Sequence, residues 1–136
     1  MIVLDTNIVL DLLVFDDPAT QPLRDALQSQ ALQWIATAPM REELARVLAY
    51  PQIVPRLAYY GLDAADVLAA FDRQARLVEV APAAAMRCKD PDDQKFIDLA
   101  VTHRARLLSK DHAVLRLKKR LLAQGVNAAK ALDALA

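Results

Sequence analysis

The sequence predicts an α/β domain with a mostly parallel sheet covered by helices on both sides. Three observations lead there. Strand-like and helix-like patterns alternate along the chain, which is the mark of parallel strands joined by helical crossovers. The composition is 55% apolar but only 5% aromatic, and much of the apolar share is Ala and Leu, which favours helices packed on a sheet over a β-sandwich. At 136 residues the chain suits one domain, residues 1–136, with a core that needs no disulfide or structural metal.

The elements follow in order. Ile2 to Leu4 is a short apolar run that ends at a polar cluster, Asp5-Thr6-Asn7, and reads as a buried strand. Asn7 to Val14 reads as a helix. Pro18 suits the first turn of another helix, ending near Gln30. Gln33 to Ala36 is a second strand. From Pro39, the residues Met40, Leu44, Val47 and Leu48 recur at helical spacing until Pro51 stops the pattern. A short helix is expected over Ile53 to Tyr60, ended by Gly61. Asp63 can cap the next one, Ala64 to about Arg76. Leu77 to Val80 is a third strand candidate. Pro91 starts a helix with Phe96, Ile97, Ala100 and Val101 inward, and Leu107-Leu108 forms a strand ending at Ser109-Lys110-Asp111. A basic helix is expected from His112 to Gln124, closed by Gly125. A last short strand near Val126 and a terminal Ala-rich helix complete the set.

Several chemistries are poorly served. Cys88 is the single cysteine, so no internal disulfide is possible, which suits a reducing, cytoplasmic setting. With two histidines and one cysteine a Cys/His zinc site is not expected. Gly61 and Gly125 are the only glycines, too few for a phosphate-cradling loop. No G-x-S-x-G segment exists. A metal-free nuclease would have to take its base and acid from His103 and His112. No apolar run reaches the roughly 18 residues of a membrane span. Asp5 and Asp11 interrupt the first apolar stretch and no basic segment precedes it, so no secretory signal is expected. Net charge is zero, yet Arg104, Arg106, Lys110, Arg116, Lys118, Lys119 and Arg120 face one acid, Asp111, between positions 103 and 120. Such a stretch is either a solvated helix face or a surface that attracts phosphates.

The acids carry the strongest signal. Asp5 abuts the most apolar segment of the chain, and an unpaired charge there is costly unless it has a partner, a metal or a chemical role. Asp5 and Asp111 each follow a predicted strand, and functional groups gather outside the carboxyl ends of strands in open parallel sheets. Asp93 falls in a first helical turn. Glu43 lies beside the inward-facing Leu44 and Val47. Taken singly, Asp92 and Asp93 also suit a helix N-terminus, Asp111 an N-cap and Glu43 an exposed helical position. Taken together, four carboxylates meeting at one place repel one another unless a divalent cation compensates them. Mg²⁺ and Mn²⁺ accept such oxygen ligands and support hydrolysis of phosphate esters.

The segments MIVLDTNIVLDLL, REELARVLAYPQI and CKDPDDQKFIDLAVTHRARLLSKDHAVL, in this order, resemble the PIN domain. They are most similar to its VapC-like branch, the ribonuclease toxins of toxin–antitoxin pairs. The resemblance runs from Met1 to about Leu115. It implies a three-layer α/β/α fold with a sheet of about four or five strands, and Mg²⁺- or Mn²⁺-dependent cleavage of RNA to 5′-phosphate and 3′-hydroxyl ends. By motif, Asp5, Glu43, Asp93 and Asp111 match the catalytic, metal-holding acids. Thr6, Asn7 and Ser109 match supporting polar positions, with Asp90 either assisting or closing the turn before Pro91. The resemblance further implies a protein antitoxin, homodimerisation and an RNA substrate, and Arg104, Arg106, Lys110 and the Arg116–Arg120 cluster are the candidate RNA contacts.

Two positions depart from the pattern or compete with it. The last motif usually has Gly before its Asp, where this chain has Lys110, a residue able to contact phosphate or to alter metal affinity. Glu42 competes with Glu43, and one residue is about 100° around a helix, so only one can face the site. Asp11, one turn after Asn7, is expected to face solvent. The alternative to an enzyme is a catalytically weak RNA-binding or antitoxin-partner module, whose acids would receive a basic side chain from the partner.

Overall fold

In the computed structural model, which describes residues 1–135, five strands form one all-parallel sheet in the order β3-β2-β1-β4-β5. These are β1 (Ile2–Leu4), β2 (Trp34–Ala36), β3 (Ala75–Leu77), β4 (Arg106–Leu108) and β5 (Ala128–Ala129). Eight α-helices fill the crossovers among the described residues. They are α1 (Thr6–Leu13), α2 (Gln21–Gln28), α3 (Ala38–Leu48), α4 (Val54–Tyr59), α5 (Ala64–Gln74), α6 (Gln94–His103), α7 (His112–Leu115) and α8 (Lys118–Ala123). Helices α1, α3 and α5 pack on one another, while α6 lies against β1 and β4 and α8 against β5. The predicted three-layer α/β/α class is the observed one.

The strand order positions everything else. The chain builds β1, β2 and β3 outward in one direction, then returns to add β4 and β5 on the other side of β1. The reversal falls between β1 and β4, and in open parallel sheets a crevice opens at the carboxyl ends of that strand pair. β1 sits at the centre, paired with β2 at Ile2↔Trp34 and with β4 at Ile2↔Arg106, Val3↔Leu107 and Leu4↔Leu108. A strand covered on both faces has no polar side to show, which is why Ile2, Val3 and Leu4 are all buried. Trp34 and Phe71 meet edge-on with ring centroids 5.1 Å apart, joining β2 to α5. A capping box closes the start of α5: the Asp63 carboxylate accepts from the Asp66 amide, and that of Asp66 from the Asp63 amide.

Three expectations are corrected. The third strand is Ala75–Leu77 and not Leu77–Val80, because its register is dictated by short β2, as Trp34↔Ala75 to Ala36↔Leu77. Val78 still donates to the Ala36 carbonyl at 2.8 Å, and beyond it Val80 is exposed. The basic helix expected from His112 to Gln124 is two, α7 and α8. The bonding tightens between them, with Leu117 N–H donating to the Val114 carbonyl, and the break leaves Val114, Leu117 and Leu121 all buried. The terminal Ala-rich segment is not an α-helix. Ala128 and Ala129 instead complete the sheet against Leu107 and Leu108, and a single 3₁₀ turn follows at Leu132–Ala134. Ala136 lies outside the described residues.

Two helix starts are also tighter than expected. Pro18–Thr20 and Pro91–Asp93 are 3₁₀ turns leading into α2 and α6, each with an Asp (Asp17, Asp90) capping it from the preceding position.

Removing the Phe71 ring should lower the unfolding free energy by about 3–5 kcal/mol, since it is fully buried against Trp34. Urea denaturation of Phe71→Ala checks this, and a drop under about 0.5 kcal/mol, as at an ordinary surface position, would mean that α5 does not close the core here.

Candidate active site

Two neighbouring strands end in the same device. β1 runs into Asp5, whose amide still pairs with the Leu108 carbonyl at 2.9 Å. Asp5 then turns to cap α1, its Oδ1 accepting from the Thr6 amide at 2.7 Å. β4 runs through Ser109 to Asp111, which caps α7 by accepting from the Ala113 amide at 2.9 Å. Ser109 ties the two ends together. Its hydroxyl donates to Asp5 Oδ2 at 2.5 Å and accepts from the Asp111 amide at 3.0 Å. Both aspartates therefore sit at helix N-termini, where the dipole favours a negative charge.

Asp93 arrives from a third direction, at the junction of the 3₁₀ turn and α6. It occupies the N-cap position but makes no capping bond. With the neighbouring acids charged, its Oδ2 is buried and has no donor. A buried acceptor without a donor is costly, so this carboxylate is placed against its own local stability. One carboxylate oxygen from each of Asp5, Asp93 and Asp111 lies within 4.8 Å of the others. All donors are oxygen, which suits Mg²⁺ or Mn²⁺ better than softer metals.

Glu43, and not the exposed Glu42, faces this site from α3, but it stands outside the group of three. Oε2 accepts from the Thr6 hydroxyl and Oε1 pairs with Lys95 Nζ at 2.6 Å. Lys95 was not among the sequence candidates. A signal existed: it lies in the first turn of α6, where a cation opposes the helix dipole by about 0.3–1 kcal/mol unless something compensates it. Glu43 and the Asp92 carbonyl, both accepting from Nζ, do so.

The supporting residues divide by role. Thr6 bridges Asp5 through its amide and Glu43 through its hydroxyl. The Asn7 side-chain oxygen accepts from the Lys110 amide at 3.3 Å, which steadies the loop before Asp111. Asp90 accepts from the Asp92 amide and closes the turn that delivers Asp93. The expectation for Asp11 is corrected. It is buried, not solvent-facing, and pairs with Lys110 Nζ at 2.5 Å. The Lys110 ammonium is thus held by an acid of its own chain, since an aspartate buried on α1 needs a cation. Among the other basic candidates Arg104, Arg106, Arg116, Lys118 and Lys119 are exposed, as is Arg120. A cleft of about 690 Å³ lined by Arg24, Gln33, Trp34 and Arg73 opens at the amino-terminal side of β2, and contains none of these acids.

Crowding and burial move the protons. Burial pushes the Asp5 carboxyl up to about 6, with the charges of Glu43 and Asp111 adding to it and the bonds from Ser109 and Thr6 opposing it. Asp93 is pushed further, to about 8, by burial first, then by a hydrogen bond with Asp111 and the charges of Asp5, Asp111 and Asp90. A cation among them would favour the charged forms and displace those protons.

The PIN domain family matches residues 1–113, which include every acid of the site. The chain belongs to the PIN domain family. No curated protein matches the chain. PIN domains are generally nucleases and typically bind divalent metals, and the oxygen cluster of this PIN domain has the chemistry to hold one.

The raised acids set a pH dependence for the metal-free protein. Between the ordinary value of 3.8 and the native values, the native state keeps protons that the unfolded chain has released. Stability in chelator should therefore fall as pH rises from about 4 to about 8. Asp93→Asn should flatten the upper part of that slope. Urea denaturation with EDTA at a series of pH values measures it, and a stability that rises through this range would contradict the burial of these acids.

Proposed function

We propose that this PIN domain, residues 1–136 acting as one unit, is a metal-dependent endoribonuclease. In this reading it is the toxin of a toxin–antitoxin pair acting in the cytoplasm. The observation that carries the enzymatic part is Asp93. Its carboxylate forgoes a capping bond and leaves a buried oxygen without a donor, beside one oxygen each of Asp5 and Asp111. A structural role explains Asp5 and Asp111, which both cap helices, but not Asp93.

Asp5, Asp93 and Asp111 would hold Mg²⁺ or Mn²⁺, with Glu43 beside them. When bound, the cation supplies Lewis-acid polarisation of the phosphodiester and a more acidic water. The chain's own contribution is rigidity and charge. Ser109, Thr6 and the Ala113 amide fix Asp5 and Asp111 before any ligand arrives, so little reorganisation of these two is needed during reaction. Water attacks phosphorus in line and the bond to the 3′ oxygen breaks. A proton ends on that oxygen, and the products carry 5′-phosphate and 3′-hydroxyl ends.

Arg104 and Arg106 at the start of β4, and Arg116, Lys118 and Lys119 on and before α8, are proposed to guide the RNA backbone. A second copy of the chain and a protein antitoxin complete the assembly we envisage. The antitoxin would place a basic side chain against the acids, a charge-assisted interaction that competes with substrate.

Purified protein should cut single-stranded and structured RNA with Mg²⁺ or Mn²⁺ and stop with EDTA, and Asp5→Asn and Asp93→Asn should each reduce cleavage at least about 100-fold. The same wild-type chain, expressed in cells, should arrest growth where Asp5→Asn does not. If wild type and both variants behave alike under every condition, the chain is an RNA- or partner-binding module instead. Changing Arg116, Lys118 and Lys119 together to Ala should weaken RNA binding and reduce the salt slope by about 0.7 for each phosphate no longer neutralised. Unaltered binding and slope would remove this face from the RNA path.

A further inference from the structure

Lys95 brings a fixed positive charge to the edge of the acid cluster. Its ammonium sits 2.6 Å from Glu43 Oε1, also donates to the Asp92 carbonyl, and lies 4.9 Å from the Phe96 ring centroid. The two side chains are only 24% and 15% exposed, so the pair is shielded from water and its attraction is stronger than that of a surface pair. The other carboxylate oxygen of Glu43 is taken by the Thr6 hydroxyl. Both Glu43 oxygens are therefore committed within the protein, while Asp93, when charged, has a buried oxygen without a donor. The three aspartates lie within ligand distance of one another and Glu43 is not in that group.

Glu43 is nonetheless tied to Asp5 through Thr6, whose amide donates to Asp5 and whose hydroxyl donates to Glu43. An acid beside such a cluster is a candidate ligand for a second cation, since two-metal sites hold their ions about 3.5–4 Å apart. Here the ammonium already supplies the compensating charge. We infer that Lys95 is a positioning residue that takes the place of a second divalent cation, holding Glu43 out of the coordination sphere so that the chain binds one cation on Asp5, Asp93 and Asp111. The inference rests on the metal-dependent reading above.

The Lys95 ammonium has three donors, and two have partners among the described residues. Its place in the first turn of α6, two residues from Asp93, brings its charge to Glu43 and the Asp92 carbonyl. Lysine at this place thus restricts the number of metals and keeps a positive charge at the site.

The test is Mn²⁺ binding to the RNA-free protein, counted by equilibrium dialysis with electron paramagnetic resonance of the free ion. Wild type should bind about one Mn²⁺ per chain, and Glu43→Gln the same, because Glu43 is not a ligand. Lys95→Met should bind about two, and Lys95→Met combined with Glu43→Gln should return to about one. Lys95→Gln, which keeps a hydrogen bond to the Asp92 carbonyl but no charge, should behave as Lys95→Met does and serves if that variant folds poorly. Wild type binding two ions, or one ion in every Lys95 variant, would overturn the inference while leaving the metal-dependent nuclease standing. Wild type binding none, indistinguishable from Asp5→Asn, would overturn both.

Discussion

The parallel pairing of β1 with β4 governs both the core and the acids beyond it. It joins the first strand of the chain to one more than a hundred residues later, and it does so in a register that puts Leu4 opposite Leu108. The next residues on each strand are then Asp5 and Ser109, which meet at 2.5 Å. A shift of one residue would turn every side chain to the opposite face. A slip would set Asp5 or Ser109 opposite a core leucine inside the strand pair, and the cost of a polar group there opposes it. Core packing therefore sets the geometry of the acids. The site is as rigid as the sheet centre because it is the end of the sheet centre.

What the fold achieves at this point is an arrangement that opposes its own stability. Three carboxylates converge, and two of them, Asp5 and Asp93, are driven toward the protonated form by burial. Asp5 and Asp111 are partly offset by helix N-termini and by Ser109. The third, Asp93, sits at the N-terminus of α6 but makes no capping bond there. Surrounding pairs confine the conflict to that one place: Asp11 is matched by Lys110, and Glu43 by Lys95. Buried acids with a cation beside them are structural. Asp5 and Asp93, buried without one, mark where a charge from outside is expected to sit.

Much of this was legible in the sequence, for identifiable reasons. Ile2–Leu4 is apolar without alternation, so a doubly covered strand follows. Asp63, Pro18, Pro91, Gly61 and Gly125 act through local backbone preferences that tertiary contacts do not reverse. Asp5 stood out because a charge follows a buried strand directly. Other features were hidden because long-range pairing outweighs local preference. Ala128 and Ala129 favour helix, yet the free edge of β4 needs hydrogen-bond partners and takes them as a strand. Asp11 has the polarity of a surface residue, and only the approach of Lys110 from another element allows it to be buried.

Local sequence was enough for the order of the elements, the parallel architecture and three aspartates at the ends or starts of elements, because period, composition and turn residues act over a few residues. Which acids meet was decided in three dimensions. Folding brought Asp5, Asp93 and Asp111 together, and it separated Glu43 by giving its two oxygens to Thr6 and Lys95. Linear spacing carries no information on that division. Whether a carboxylate joins a cluster or an ion pair depends on which side chains arrive from elsewhere in the chain, and their arrival is fixed by sheet register and helix packing.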